Sequence, residues 1–354
     1  MNKKNEVLIV APYQFGELSD CYYWAKYAVA KGWDVTYFGY KYSQRGIKER
    51  RCDGVKVKSV FHYNNRVLLG LCFFVRLIFE IIFYNHHNII VCKFPHVEKL
   101  VRLFPNRNII LDIRTLSVSS NDQERKTADD NTRRVALHFS KCSVISEGVK
   151  KKLNVDATVL PLGAECVSNT SKDFSSLKLF YIGTFDNRKL PIFLHGLSLF
   201  NKTYSVPFTF DIVGGGNKTE EDSIKSIIHS EDLVDVTLHG FLTHDEAKIF
   251  FDKCNVGVCY VPMTEYYEHQ PPTKLYEYLL SGMVCIATNT TSNKQVMTKD
   301  LGVLIDDDAQ SVCEGLYKLY QHKNEYSSER ILELTKNYHW NQIVENAFIK
   351  LFER

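Results

Sequence analysis

The chain of 354 residues has no Cys-x-x-Cys pair, and its ten cysteines follow no regular spacing. The closest two, Cys254 and Cys259, have no neighbouring histidine pattern of a zinc site. That argues against a thiolate metal centre and a disulfide framework, and reads as scattered reduced thiols of a cytoplasmic protein. No Gly-x-Gly-x-x-Gly follows the first apolar strand, which argues against a dinucleotide dehydrogenase. No uninterrupted apolar stretch reaches the roughly 20 residues a spanning helix needs. The amino-terminal MNKKNEVLIVAPYQFG holds an apolar run of only five residues before Pro12. That reads as a first strand, not as a secretory leader. Fixed-period repeats, low-complexity tracts and motifs that read RNA or DNA are missing too, so no nucleic-acid partner is expected.

What is present is the balance of a soluble globular protein, 45% hydrophobic and 24% charged, long enough for two domains. The net charge is only +3, but it is unevenly spread. Residues 1–165 carry 26 Lys and Arg against 16 Asp and Glu, a net of +10, and the remainder carries −7. The asymmetry points to an anionic partner for the first half, and a membrane surface fits it better than nucleic acid.

In the first half EVLIVA reads as a buried strand, followed by a helix from Ser19 as N-cap to Gly32 as stop signal, then the strand WDVTYFGY. VKVKSV, NIIVCK, NIILDI and CSVIS continue an open α/β sheet. The second half begins its own set with LKLFYIGT, FTFDIVGG, VDVTLHG, VGVCYVP, VCIAT and GVLIDD. Two consecutive α/β domains with parallel sheets facing one another are expected, residues 1–165 and 166–335, with a polar linker over 160–176. A helix over 336–354 repeats Ile343, Ala347 and Leu351 every four residues. RVLLGLCFFVRLIFEIIFY, residues 66–84, is strongly apolar but interrupted by Arg76 and Glu80. It is either a buried helix of the first sheet or one that dips into a membrane interface. Seven basic residues precede it within 41–58: Lys41, Arg45, Lys48, Arg50, Arg51, Lys56 and Lys58.

Ligands of open parallel sheets sit at the carboxyl ends of strands. In the second half those ends carry complementary groups. Arg188 and Lys189 follow one strand, Gly214 opens a triple glycine after the next, and Gly240, Phe241 and Leu242 follow the third. The fourth leads into EHQPPTKLYEYLLSGMVCIAT. There a helix start at Pro272-Thr273-Lys274 offers free N–H groups, a hydroxyl and an ammonium to phosphate. Glu277, one turn on, suits a vicinal diol such as a ribose. Each piece alone reads first as a solvated charge or a tight turn. On successive strands of one half they point to a nucleoside-diphosphate ligand.

YIGTFDNRK, HGFLTHDEAKIFFDKCNVGVCYVP and PPTKLYEYLLSGMVCIAT resemble the nucleotide-binding domain of retaining glycosyltransferases of family 4, and the similarity runs along nearly the whole chain. The resemblance implies the GT-B fold, two facing Rossmann-like domains with the Trp340 helix crossing back to the first. By it, Glu277 is the second glutamate of the family's acidic motif and holds donor ribose hydroxyls, and Lys189 is the pyrophosphate lysine. Two departures stand out. His269, beside Glu268, occupies the place of the first glutamate, and Thr184 follows the strand glycine Gly183 where the family usually has arginine, so that Arg188 substitutes. In the first half LDIRTL resembles the family's acidic-x-Arg loop. Asp112 and Arg114 then face donor phosphate or acceptor, with a strand-end ion pair the alternative. Gly16 would let the first loop approach the donor, and His96 is a further loop candidate.

The function implied is transfer of a sugar from a UDP- or GDP-linked donor to a glycan, with lipid-linked oligosaccharide in capsule or lipopolysaccharide O-antigen assembly as the expected acceptor. No resident cofactor or metal is expected, the cationic side chains taking a metal's part. A nucleotide-sugar epimerase or a non-catalytic partner of the same architecture are the alternatives.

Overall fold

The computed structural model describes residues 5–42, 50–62, 64–119 and 121–353. They divide into two compact units, Met1–Leu162 with Trp340–Arg354, and Gly163–His339. The expected basic residues Arg45 and Lys48 lie outside the described residues.

The first unit runs β1 (Glu6–Val10), α1 (Ser19–Ala30), β2 (Asp34–Lys41), β3 (Val55–Phe61), α2 (Arg66–Phe83), β4 (Asn88–Cys92), α3 (Lys99–Leu103), β5 (Asn108–Ile113), α4 (Asp122–Ala136), β6 (Lys141–Val144), α5 (Glu147–Leu153) and β7 (Thr158–Val159). Its seven strands are parallel in the order β3-β2-β1-β4-β5-β6-β7. Every residue of β1 is buried, as a strand covered on both faces requires. Ser19 is the first residue of α1 rather than its cap; Leu18 holds the cap position and makes no side-chain bond there.

Glu80, which interrupts the apolar run of α2, turns inward. Its Oε1 lies 3.4 Å from His86 Nε2, and His86 Nδ1 lies 3.1 Å from Glu6 Oε2. Glu6 also accepts from the backbone N–H groups of His87 and Asn88. Burial alone would raise the Glu6 pKa, but these hydrogen bonds outweigh it and hold the carboxyl below its usual range. The end of α2 is thereby pinned to β1 and β4. Among the described residues no helix is long and apolar enough to cross a membrane.

The second unit runs β8 (Leu177–Thr184), α6 (Leu190–Tyr204), β9 (Phe208–Gly215), α7 (Lys218–Ser230), β10 (Val236–Gly240), α8 (His244–Lys253), β11 (Val256–Cys259), α9 (Thr273–Leu280), β12 (Val284–Thr288), α10 (Thr291–Lys294), β13 (Gly302–Ile305), α11 (Ala309–Gln321) and α12 (Ser328–Thr335). Its six parallel strands are ordered β10-β9-β8-β11-β12-β13, so the strand order reverses between β8 and β11. Phe180 on β8 packs against Phe250, Phe251 and Tyr278 at the centre of the unit.

The stretch that reads as a polar linker is tightly bonded into this unit. Val167 and Ser168 donate through their N–H groups to Ser281, and Lys172 Nζ donates to the carbonyls of Phe251 and Asp252. Ser168 and Lys172 are buried there, while Asn169, Thr170, Ser171, Asp173 and Ser175 stay exposed. The last helical stretch, Trp340 to Glu353, returns to the first unit, where Trp340 stacks on Tyr23. A π-helical turn at Val344–Phe348 shifts its register, so that Ile343, Val344, Phe348 and Leu351 are buried while Ala347 is only half-buried.

β11 pairs with β8 only as far as Phe180, and the next inward N–H, that of Ile182, donates instead to Tyr278 Oη at 3.0 Å. Tyr278→Phe keeps the packing but leaves this N–H without its acceptor. We expect a loss of about 1–3 kcal/mol in urea unfolding; an unchanged midpoint would show that water replaces the hydroxyl.

Candidate functional site

The two strands flanking the reversal carry their loops to the same edge of the sheet. β8 delivers residues 185–189 and β11 delivers 260–272. The helices that follow are set apart by their N-termini. Asn217 caps α7, Thr243 caps α8 in a full capping box, Thr290 caps α10 and Asp308 caps α11. At α6 and α9 no side-chain cap bond is made, since Lys189 in the left-handed region and Pro272 hold the cap positions. The first N–H groups of these two helices are left for an external acceptor.

Three cations stand there. The Arg188 guanidinium lies 4.5 Å from the Tyr267 ring centroid, and Lys189 is exposed. Neither has a carboxylate partner among the described residues. Lys274, on the first turn of α9, is half-buried as a residue, but its Nζ is closed off from solvent and finds no hydrogen-bond acceptor among the described residues. The ammonium rests 3.7 Å from the Tyr181 ring centroid. Burial first, and then repulsion from Arg188, push its pKa down from 10.5 to about 7 against the opposing pull of Cys259 and Glu277.

The backbone beneath is glycine because nothing larger fits. Gly183 and Gly214 are register partners with φ of 146° each. A Cβ on Gly183 would come 2.9 Å from Lys274 Nζ, and one on Gly214 would overlap the Gly183 carbonyl. Thr184, at the end of β8, is exposed, with its Oγ1 accepting from Asp186 N–H. Asp186 in turn accepts from Asn217. Glu277, one turn into α9, is largely enclosed and lies 3.4 Å from His244 Nε2. Gly240 has φ +71°, Phe241 beyond it is 83% exposed, and Leu242 is half-buried. Arg188, Lys274, Glu277, Gly183 and Gly214 thus form one cationic, aromatic-backed cluster.

Other expected residues are placed differently. The Glu268 carboxylate is held by the N–H and hydroxyl of Thr291, leaving half-buried His269 as the neighbouring group of that loop. In the first unit the Arg114 guanidinium donates to Asp20 and to the Leu160 carbonyl, lies 3.8 Å from Asp112 and covers Trp24. Asp112 is buried, accepts from Ser143, and is raised by that burial to about 6 despite the lowering pull of Arg114 and Ser143. Gly16 (φ +90°) packs against the Arg50 side chain, and His96 is exposed near Glu98. Gly16 and His96 follow β1 and β4, which flank the strand reversal of that unit.

Reading the sequence missed Tyr181, Tyr267 and His244. Tyr181 was within sight in YIGT; His244 directly follows the capping threonine of α8, one position past Thr243. Asp306, Asp307 and Asp308 form an Asp-x-Asp string, but their carboxylates bond Asn289, Met263 N–H and Ser311 N–H.

Residues 176–322 match the family model described as Glycosyl transferases group 1. Sucrose-phosphate synthase of Thermosynechococcus elongatus superposes with a TM-score of 0.75 at 16% identity, over 99% of both chains. The E. coli trehalose-6-phosphate protein bound with UDP-2-fluoro glucose gives 0.72 at 11% identity, over 99% of both chains. The lipopolysaccharide outer core galactosyltransferase WaaB, in its apo form, gives 0.69 at 11% identity, over 98% of this chain and 99% of that one. No curated protein sequence matches the chain closely enough to place it. The likenesses show the GT-B fold, and the domain match with that fold marks the chain as a transferase.

A buried ammonium with no acceptor destabilises the folded state wherever the unfolded chain holds the proton more tightly, which is below pH 10.5. The cost grows as pH falls from 10.5 to about 7 and is constant below. Lys274→Met should therefore stabilise the protein by roughly a few kcal/mol at neutral pH, with the gain vanishing near pH 10.5. Urea unfolding at both pH values checks it; a variant less stable at neutral pH would show that the ammonium is satisfied.

Proposed function

We propose that the chain is a retaining glycosyltransferase that takes a nucleotide-diphospho-sugar and passes the sugar to a glycan acceptor, lipid-linked and presented at a membrane, in surface-polysaccharide synthesis. The observation that carries this reading is the enclosed Lys274 ammonium, which lacks an acceptor and lies at an uncapped helix terminus beside Arg188. A diphosphate supplies the missing negative charge. The UDP-2-fluoro glucose bound to the E. coli structural relative, and the likeness to WaaB, a lipopolysaccharide outer core galactosyltransferase, support the two substrate classes without fixing them.

In this reading the donor pyrophosphate lies across the N-termini of α6 and α9. Arg188, Lys189 and Lys274 meet its oxygens, and Glu277 accepts from ribose hydroxyls after releasing His244. As the bond from the anomeric carbon to the β-phosphate oxygen breaks, charge grows on the departing diphosphate. Fixed donors and cations already aimed at it lower the barrier, by about 2–4 kcal/mol per contact in comparable sites. The acceptor oxygen bonds the anomeric carbon on the same face, and its proton goes to the departing phosphate oxygen. Atoms and charge balance without a protein base, and no resident cofactor or metal is invoked.

A second reading, a binding partner without turnover, draws on the Glu268 carboxylate held by Thr291, which leaves His269 in place of a free acid.

Calorimetry with UDP, GDP, ADP and CMP tests the donor site. One diphosphate should bind with micromolar affinity and at least about tenfold more weakly to Glu277→Ala, one lost charge-assisted hydrogen bond. No binding by any of the four would overturn the reading. Binding of the cognate sugar nucleotide with no sugar released or transferred in membrane extract would select the second one.

A further inference from the structure

We propose that the outer face of α2, together with the groove between its second half and β2–β3, docks on an anionic lipid bilayer, with Lys58 and Arg76 taking headgroup phosphates. The helix has two apolar faces. Leu69, Phe73, Leu77 and Ile81 are buried against the sheet. Val67, Leu68, Leu71, Val75, Phe79, Ile82 and Phe83 recur every three or four residues and are all exposed, Val67 by 83% and Phe83 by 75%. A helix that needed only to cover the sheet would carry polar residues on that second face. Contiguous apolar surface of this kind marks a binding face.

The groove beside it has a volume of about 670 Å³ and is lined by Phe38, Lys58, Arg76, Phe79, Phe83 and Tyr84, among others. Among the described residues its cations lack counter-charges. Lys58 meets only the Tyr84 hydroxyl and ring, and Arg76 has no partner among the described residues. Glu80, the carboxylate of the lining, is turned away to His86. An amphipathic face with uncompensated cations at its rim matches the boundary of an anionic bilayer, where acyl chains meet phosphates. Spanning is excluded by Arg76 and by the buried inner face. A second copy is a poorer occupant, because a two-fold interface packs this patch against itself, and its lining offers no free carboxylate to answer Lys58 and Arg76.

The inference extends the lipid-linked acceptor reading above and rests on it only for its purpose; its test is independent of donor binding. The full chain is floated with vesicles of phosphatidylcholine alone or mixed with phosphatidylglycerol. We expect flotation with the anionic vesicles only. The double variant Lys58→Gln/Arg76→Gln should bind them about 25-fold more weakly, at roughly fivefold per basic residue removed. Val75→Glu/Phe79→Glu, both at exposed positions, should not float while keeping the wild-type circular dichroism spectrum. Absence of flotation by the wild type, or equal flotation by all variants, overturns the proposal. So does a concentration-dependent dimer in sedimentation that Val75→Glu/Phe79→Glu dissolves, since that assigns the face to a second copy. Diphosphate calorimetry on the same variants should match the wild type, which separates a failure here from a failure of the donor reading.

Discussion

A parallel sheet whose strand order reverses must send the crossovers on either side of the reversal to opposite faces. No helix then covers the crevice at the carboxyl ends of the two strands concerned. In the second unit that constraint falls between β8 and β11, and the rest of the candidate site depends on it. It brings together loops about 80 residues apart in sequence, and at the N-termini of α6 and α9 that follow them no side-chain cap bond is made. The other four helices that directly follow strands of this sheet, α7, α8, α10 and α11, close their first turns with Asn, Thr or Asp side chains.

The electrostatics follow from that geometry. Lys274 rises from the first turn of α9 toward Gly183, where the missing side chain makes room, and its ammonium rests on the face of Tyr181 with no hydrogen-bond acceptor among the described residues. Such a group works against the folded state of the free protein, and it is tolerated where a ligand brings the opposite charge. Glu277, the nearby acid, lies toward His244; in the proposed reading it turns to ribose hydroxyls.

The first unit uses the same architecture to other ends. Its arginine at the carboxyl edge, Arg114, is held by Asp20, by Asp112 and by a carbonyl. That is the arrangement of a fixed brace, in contrast to the open cations of the second unit. Its distinctive element is α2, anchored at one end by the buried Glu6–His86–Glu80 bonds and apolar on both faces. The anchoring holds the outer face rigidly against the sheet, so what the helix presents is a surface and not a loose tail.

Two sets of apolar strands, separated by helical periods and stopped by glycine, were enough to read α/β organisation twice over. Strand period and run length depend on near neighbours in the chain, and these are in the sequence. Lys189, Lys274 and Glu277 could be singled out for the same reason, each lying within a few residues of a strand end or a helix start. The stretch 160–176 reads as a polar linker, yet Val167, Ser168 and Lys172 bond into the second unit, because polarity does not say whether a group bonds water or a distant partner. The apolar helix 66–83 stayed open because hydropathy cannot separate a face covered by a sheet from one left bare. Tyr181 beneath Lys274, His244 beside Glu277 and Thr291 on Glu268 are pairings across long separations. The sequence by itself determined which elements form and what charges they carry. Only the tertiary structure decided which of those charges are answered within the protein, because that depends on strand order, which no local pattern encodes.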